Sequence, residues 1–301
     1  MEQLRFGVSV GRGWDDGSGL ADAARRAEEL GFDVVTAADH LGSPSPFQVL
    51  ATAAAVTSMI RLRTYVLDAF FWNPALLARE AATLDVLSGG RVELGVGAGH
   101  MRHEHEDAGL PFPGVSERWE HTEALLADVR RRLDGEHSPA PVQAPLPFMV
   151  AAMGERGLSV AARQADVIGL AGLAQVPGRR AGTFTLATSS VTDDRVGLVR
   201  RETERAGRRP ELDVLLQQVV IGRDPEEVAA EESAEAATQG QDWITAELLL
   251  DTPFMLYART AAEAADELRR RSERWGVRWW STHWPSRDPL AEVIAATRAS
   301  A

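Results

Sequence analysis

The chain has 301 residues, with 44 acidic against 32 basic side chains and a formal net charge of −12. Every basic residue is arginine and there is no cysteine. This excludes Schiff-base lysine chemistry, a phosphate-loop lysine, thiol nucleophiles, disulfides and thiolate zinc sites. So acidic a surface repels nucleic acid and anionic membranes at long range, so neither is an expected partner. An anionic ligand would have to be held locally, by placed arginines or helix N-termini.

Hydrophobic residues make up 45% of the chain, enough for a large core. No run approaches the roughly 20 apolar residues of a membrane span. The opening Met1–Gly7 runs directly into a strand pattern without the charged-then-apolar order of a signal peptide, so a cytoplasmic protein is expected.

The elements then alternate. Leu4–Val10 reads as a strand and Leu20–Leu30 as a helix stopped by Gly31. Strand Asp33–Ala37, helix Phe47–Thr57 and strand Leu62–Leu67 follow. Pro74 opens a helix over Ala75–Leu87 that Gly89-Gly90 closes. Next come strand Val92–Val96, helix Glu117–Leu133, strand Leu146–Ala151, helix Leu158–Gln164 and strand Val167–Leu170. Helix 195–206 precedes a strand over Leu212–Ile221 and helices near 225–238 and 261–275. Strand Val277–Thr282 and helix Pro289–Ala299 end the chain. Ala171–Asp194 is the longest irregular stretch, of a length that is usually functional or mobile.

Eight apolar strands, each followed by a helix, predict a parallel sheet covered on both faces. In about 300 residues this is a single α/β domain over 1–301, a closed (β/α)8 TIM barrel, with an open doubly wound sheet as the alternative. Barrel chemistry lies in the loops after the strand C-termini. Those loops hold Arg12 and Trp14; Asp39 and His40; Asp68, Phe70, Phe71 and Trp72; Gly97 to His105; and Ala152 to Gly157.

Asp39-His40 ends an apolar strand abruptly. A histidine there suits general acid–base work with the carboxylate tuning it; the other reading is a capping Asp and a structural His. His100, His103, Glu104 and His105 have spacing compatible with a metal, as in a barrel hydrolase, or with a solvated helix entry. Gly95-x-Gly97-x-Gly99 falls too late in the chain for a dinucleotide fingerprint and suggests close backbone approach to a flat ligand. Ala151, Ala152, Met153 and Gly154 turn directly into a helix whose free N–H groups, with Arg156, would make a phosphate seat or an ordinary tight turn. Phe70, Phe71, Trp72, Trp14, Trp279, Trp280 and Trp284 are candidates to line a pocket, although consecutive Trp279 and Trp280 must face opposite sides of their strand.

Taken together, these residues resemble the bacterial luciferase-like flavin and deazaflavin oxidoreductase superfamily. The carriers are Ala21 to Asp33, Ala38-Asp39-His40 and above all Asn73 to Arg91 running into Glu93 to Gly99. The resemblance implies a barrel binding coenzyme F420, with FMN as the alternative, across the strand C-termini. The Asp-His pair is similar to that of the F420-dependent branch, where His40 would move the proton and Asp39 would tune it or contact the ring. By the same resemblance, a non-proline cis peptide would fall near Tyr65-Val66, Gly99, His100 and His103 would meet the coenzyme, and the 151–157 turn would take its phosphate. Trp14, Phe71, Trp72 and His283 would shape the pocket of a small-molecule substrate, and Arg179 and Arg180 would meet an acidic coenzyme tail. Relatives that oxidise sugar phosphates use lysines for the phosphate, which this chain lacks. A homodimer is common among such proteins.

Overall fold

The computed structural model describes residues 3–11, 17–176, 178–179 and 183–299. The chain runs β1 (Arg5–Ser9), α1 (Gly17–Glu29), β2 (Val34–Ala37), α2 (Pro46–Val56), β3 (Arg61–Thr64), β4 (Leu67–Asp68), α3 (Pro74–Ser88), β5 (Val92–Gly97) and α4 (Arg102–Asp107). It continues with α5 (Val115–Leu133), β6 (Phe148–Ala152), α6 (Glu155–Gln164), β7 (Val167–Leu170), β8 (Leu173–Gln175), β9 (Phe184–Leu186) and α7 (Ser189–Ala206). β10 (Glu211–Leu216), β11 (Gln218–Ile221), α8 (Pro225–Thr238), α9 (Ala246–Asp251), β12 (Met255–Ala258), α10 (Ala261–Trp275), β13 (Val277–His283) and α11 (Arg287–Ala299) complete it.

The sheet order is β3-β2-β1-β13-β10-β7-β6-β5-β4, and β3 also pairs with β5 through Leu62 and Arg63, which closes the ring. All of these pairings are parallel. β3 and β4 are two halves of one barrel strand, joined at a cis Tyr65-Val66 peptide, so the expected eight strands form an eight-membered barrel. Local chemistry sets the helix ends. Asn73 accepts from the backbone N–H of Ala75 and Leu76 ahead of Pro74, and Gly89 closes α3 at φ 69°, a left-handed value that favours glycine.

Two stretches differ from expectation. The apolar run 212–221 is not one strand. It breaks at Gln217, whose N–H donates to Phe254 O (2.7 Å), and β11 leaves the barrel to pair with β12. The polar pair Gln217-Gln218 is the only mark of the break in the sequence, and the apolar residues on either side read as one strand. The stretch 171–194 is not wholly irregular either: β8 and β9 form an antiparallel hairpin, and α7 starts at Ser189 because Thr188 caps it through Val191 N–H.

The barrel interior is charged. Arg63, fully buried on β3, lies between Glu93 of β5 and Asp213 of β10. Asp213 also accepts from Tyr65 Oη (3.2 Å) and Ser281 Oγ (3.0 Å). Arg63 sits 4.4 Å over the Trp279 ring, whose indole N–H donates to Glu211 Oε2 (2.6 Å). Trp280, next in sequence, points outward and donates to Ser272 Oγ (3.0 Å) of α10. Burial pushes the Asp213 carboxyl up against the pull of one guanidinium and two hydroxyls. Glu93 is as deeply buried, but Arg63 and Arg61 together hold it below its ordinary value. Among the described residues no helix is long and apolar enough to cross a membrane.

Candidate functional site

β2, β4 and β5 end side by side at one mouth of the barrel, and most of the expected site residues lie there. Asp39 and His40 follow β2. Asp39 N–H donates to Val66 O (3.4 Å), and Asp39 Oδ2 accepts from the Trp72 indole (2.7 Å). Burial pushes the Asp39 carboxyl above its ordinary pKa, opposed by the Trp72 and Asp68 N–H donors and reinforced by the Asp68 charge. Trp72 is set edge-on against Phe47, ring centroids 5.1 Å apart.

His40 Nδ1 lies 2.9 Å from Glu104 Oε1 and 3.3 Å from Oε2. The next residue, His105, is fully buried. Its Nε2 lies 2.8 Å from Asp68 Oδ2 and its Nδ1 2.8 Å from Pro111 O. Two consecutive α4 residues therefore reach two different strand ends, each making a carboxylate–imidazole pair. About 100° of helical rotation separates neighbours, which lets Glu104 and His105 diverge in this way. Phe71 has its ring 5.4 Å from His105, on which Phe70 and Phe112 also pack.

His100 stands exposed at the rim with its ring edge-on to His40 at 5.8 Å. Desolvation, then the neighbouring His40, lowers its pKa below the usual imidazole value. His103 is exposed on α4. The H-x-x-H-E-H run is thus divided among separate partners, and among the described residues no group of three His, Asp or Glu side chains is arranged to hold a metal. The cluster was visible in the sequence only as candidate ligands. Its pairing with His40 and Asp68 depends on where α4 docks.

The glycine run serves packing between neighbouring barrel strands. A Cβ on Gly95 would meet Thr64 O at 1.9 Å, on Gly97 Val66 Cγ2 at 2.9 Å, and on Gly99 Asp68 Oδ2 at 2.1 Å. These glycines admit the neighbouring β3–β4 backbone and the Asp68 carboxylate, and Thr64 Oγ1 both donates to Gly95 O and accepts from its N–H. Trp279 and Trp280 are buried below the rim and against α10, so they do not line a pocket at the mouth.

At the end of β6, Ala151, Ala152 and Met153 lead through Gly154 into α6, whose N-terminus no side chain caps. A Cβ on Gly154 would meet nothing within 4 Å. Arg156 is half-exposed, 4.0 Å from Glu120 and 3.8 Å from Glu123. His283, exposed at the end of β13, lies 3.4 Å from Gln217 Oε1. Arg179 pairs with Asp242 (2.7 Å) and lies over Trp243. Arg12, Trp14 and Arg180 lie outside the described residues.

A family model described as luciferase-like monooxygenase matches residues 4–296. The chain belongs to that family. Among its relatives, an F420-dependent glucose-6-phosphate dehydrogenase of Beutenbergia cavernae is 34% identical over 163 residues, 46% of this chain and 48% of the relative. A protein of the same description from Nakamurella multipartita is 31% identical over 244 residues, 72% of this chain and 67% of the relative. The chain therefore spans about half the length of the first and two thirds of the second. Among solved structures, an F420-dependent secondary alcohol dehydrogenase in complex with an F420-acetone adduct superposes with a TM-score of 0.77 at 18% identity, over 99% of this chain and 100% of that one. This likeness is one of fold.

Proposed function

We propose that this luciferase-like protein is a coenzyme F420-dependent oxidoreductase acting on a small organic substrate. The observation that carries the reading is the Asp39-His40 pair at the barrel mouth, each side chain held by a partner of its own, in a chain whose relatives are described as F420-dependent enzymes. The donor set suits the coenzyme. The uncapped α6 N-terminus, with open space at Gly154, offers backbone N–H groups to a phosphate. Arg156 has to be shared with Glu120 and Glu123, so the N–H groups are the main holders and Arg156 a supplement.

When bound, the deazaflavin ring supplies a hydride-carrying centre with little oxygen chemistry, whereas FMN would bring oxygen chemistry. The chain's own part is acid–base and positional. His40 exchanges a proton with the substrate. Asp39, fixed by Trp72, holds its carboxyl at the strand end beside the cis Tyr65-Val66 peptide. Gly99, His100 and His103 border the ring site, and Phe71, Trp72 and His283 bound the substrate space. No lysine is present to bind a substrate phosphate, so we place the substrate outside the sugar phosphates despite the description of the relatives.

The test is turnover of F420 across a panel of small alcohols and sugar phosphates, with His40→Ala as control. Oxidation of an uncharged substrate that falls by ~10² to 10⁴ in His40→Ala is expected. Near-normal turnover by His40→Ala would sink the role of His40.

A further inference from the structure

We propose that Glu104 is the positioning residue of His40, fixing its imidazole as the tautomer with the hydrogen on Nδ1 and leaving Nε2 as the nitrogen that exchanges the substrate proton. The functional consequence rests on the role proposed for His40 above; the tautomer itself does not.

The geometry leaves little choice. A carboxylate only accepts hydrogen bonds, and both Glu104 oxygens lie within reach of Nδ1, at 2.9 and 3.3 Å, so Nδ1 must donate. Among the described residues His40 Nε2 takes no hydrogen bond. Glu104 is buried, its side chain 7% exposed against 30% for His40, so the pair is shielded on the carboxylate side and open on the imidazole side.

A buried carboxylate positions a ring only if its own helix is fixed, and α4 is held by the next residue. Pro111 O can only accept, so His105 Nδ1 donates to it while Nε2 meets Asp68 Oδ2. Phe70, Phe71 and Phe112 enclose that ring. His105 N–H and O are also engaged, with Met101 O and Leu110 N–H respectively. The loop after β5 is therefore pinned to the end of β4 by His105, and Glu104 is delivered to the end of β2. Neither Glu104 nor His105 touches the substrate in this account; both act through His40.

The coenzyme-free protein, labelled with ¹⁵N in its histidines, tests the tautomer directly by NMR, with the His40 signals assigned by their absence in His40→Ala. The wild-type protein is expected to show a protonated Nδ1 and an unprotonated Nε2 in neutral His40. Glu104→Gln keeps the shape but can also present an amide donor to Nδ1, so it should give mixed or reversed tautomers. With coenzyme and substrate, kcat should fall roughly 10- to 100-fold, by analogy with the loss of the hydrogen-bonded partner behind a metal-ligating histidine, with KM and coenzyme affinity changed less than about twofold. Glu104→Asp should keep the tautomer of the wild type. An Nε2–H tautomer in the wild-type protein would overturn the proposal. So would a Glu104→Gln enzyme with unchanged tautomer and kcat. Failure of F420 turnover with the Nδ1–H tautomer intact would instead count against the functional reading.

Discussion

Replacing Asp213 by alanine opens the fully buried interior of the barrel. The change removes three interactions at once: the ion pair with Arg63, and the hydrogen bonds from Tyr65 Oη at 3.2 Å and Ser281 Oγ at 3.0 Å. Breaking one side of a buried ion pair costs about 3–5 kcal/mol when the remaining charge has no other partner. Here Glu93 stays on Arg63, which moderates that loss. Two buried hydroxyls left without an acceptor add about 1–3 kcal/mol each before they relax. We expect a total of about 4 kcal/mol, close to a third or more of the stability of an ordinary domain. At roughly 2 °C per kcal/mol for a chain of this size, the melting temperature should fall by about 8 °C. Asp213→Asn keeps an acceptor for the hydroxyls and should lose about half as much. Urea unfolding monitored by tryptophan fluorescence, with circular dichroism as a second probe, gives the difference. An Asp213→Ala protein within 1 kcal/mol of wild type would refute the idea that this carboxylate holds the interior together.

Other substitutions probe separate contacts. Gly95→Ala puts a Cβ 1.9 Å from the Thr64 carbonyl and should cost about 3 kcal/mol or abolish folding, whereas Gly97→Ala meets only the Val66 side chain at 2.9 Å and should cost about 1 kcal/mol; thermal melts of the pair check the contrast. Trp72→Phe removes the donor to Asp39 and should cost about 2 kcal/mol at neutral pH. Because that bond favours the ionised carboxyl, the deficit should shrink as pH falls and Asp39 protonates, and a deficit independent of pH would contradict the assignment. Glu28 accepts from the N–H groups of Ser58, Met59 and Ile60. Burial acts to raise its pKa, yet these bonds and Arg91 bring it below the ordinary value. A depressed carboxylate pKa adds stability that is complete above the unfolded-state pKa and lost as pH falls through the folded one. Glu28→Gln should therefore be less stable by about 1 kcal/mol at pH 7 and equal to wild type in acid, as read from unfolding midpoints at several pH values.

The fold was legible because eight apolar runs alternate with helical ones, with helix stops at Gly31 and Gly89 and a helix start at Asn73-Pro74. What the sequence concealed depends on where elements dock. The step from β10 to β11 falls at Gln217-Gln218, flanked by apolar residues on both sides, and at that point Gln217 N–H turns to the carbonyl of Phe254. Arg63, Glu93 and Asp213 stand inside barrel strands, a signal of a buried charge network that periodicity passes over; Arg63 is tolerable there because both carboxylates meet it, and each carboxylate because Arg63 does. Gly95, Gly97 and Gly99 mark close approach, as the sequence suggested, and the protein atoms they admit are the Thr64 carbonyl, the Val66 side chain and the Asp68 carboxylate. Asp39 and His40 were visible from their position at a strand end. Glu104 and His105 could be recognised as chemically active residues, but their partners are distant in sequence and only the docking of α4 reveals them.

The central claim is that the mouth of this barrel is built for F420, and parallel titrations of the purified protein with F420 and with FMN, followed by fluorescence, test it most directly. Saturable binding of F420, weakened by a Gly154→Pro change at the start of α6 and far tighter than binding of FMN, is the predicted result. Tight FMN binding without detectable F420 binding would contradict it and move the protein to the oxygen-using side of its family.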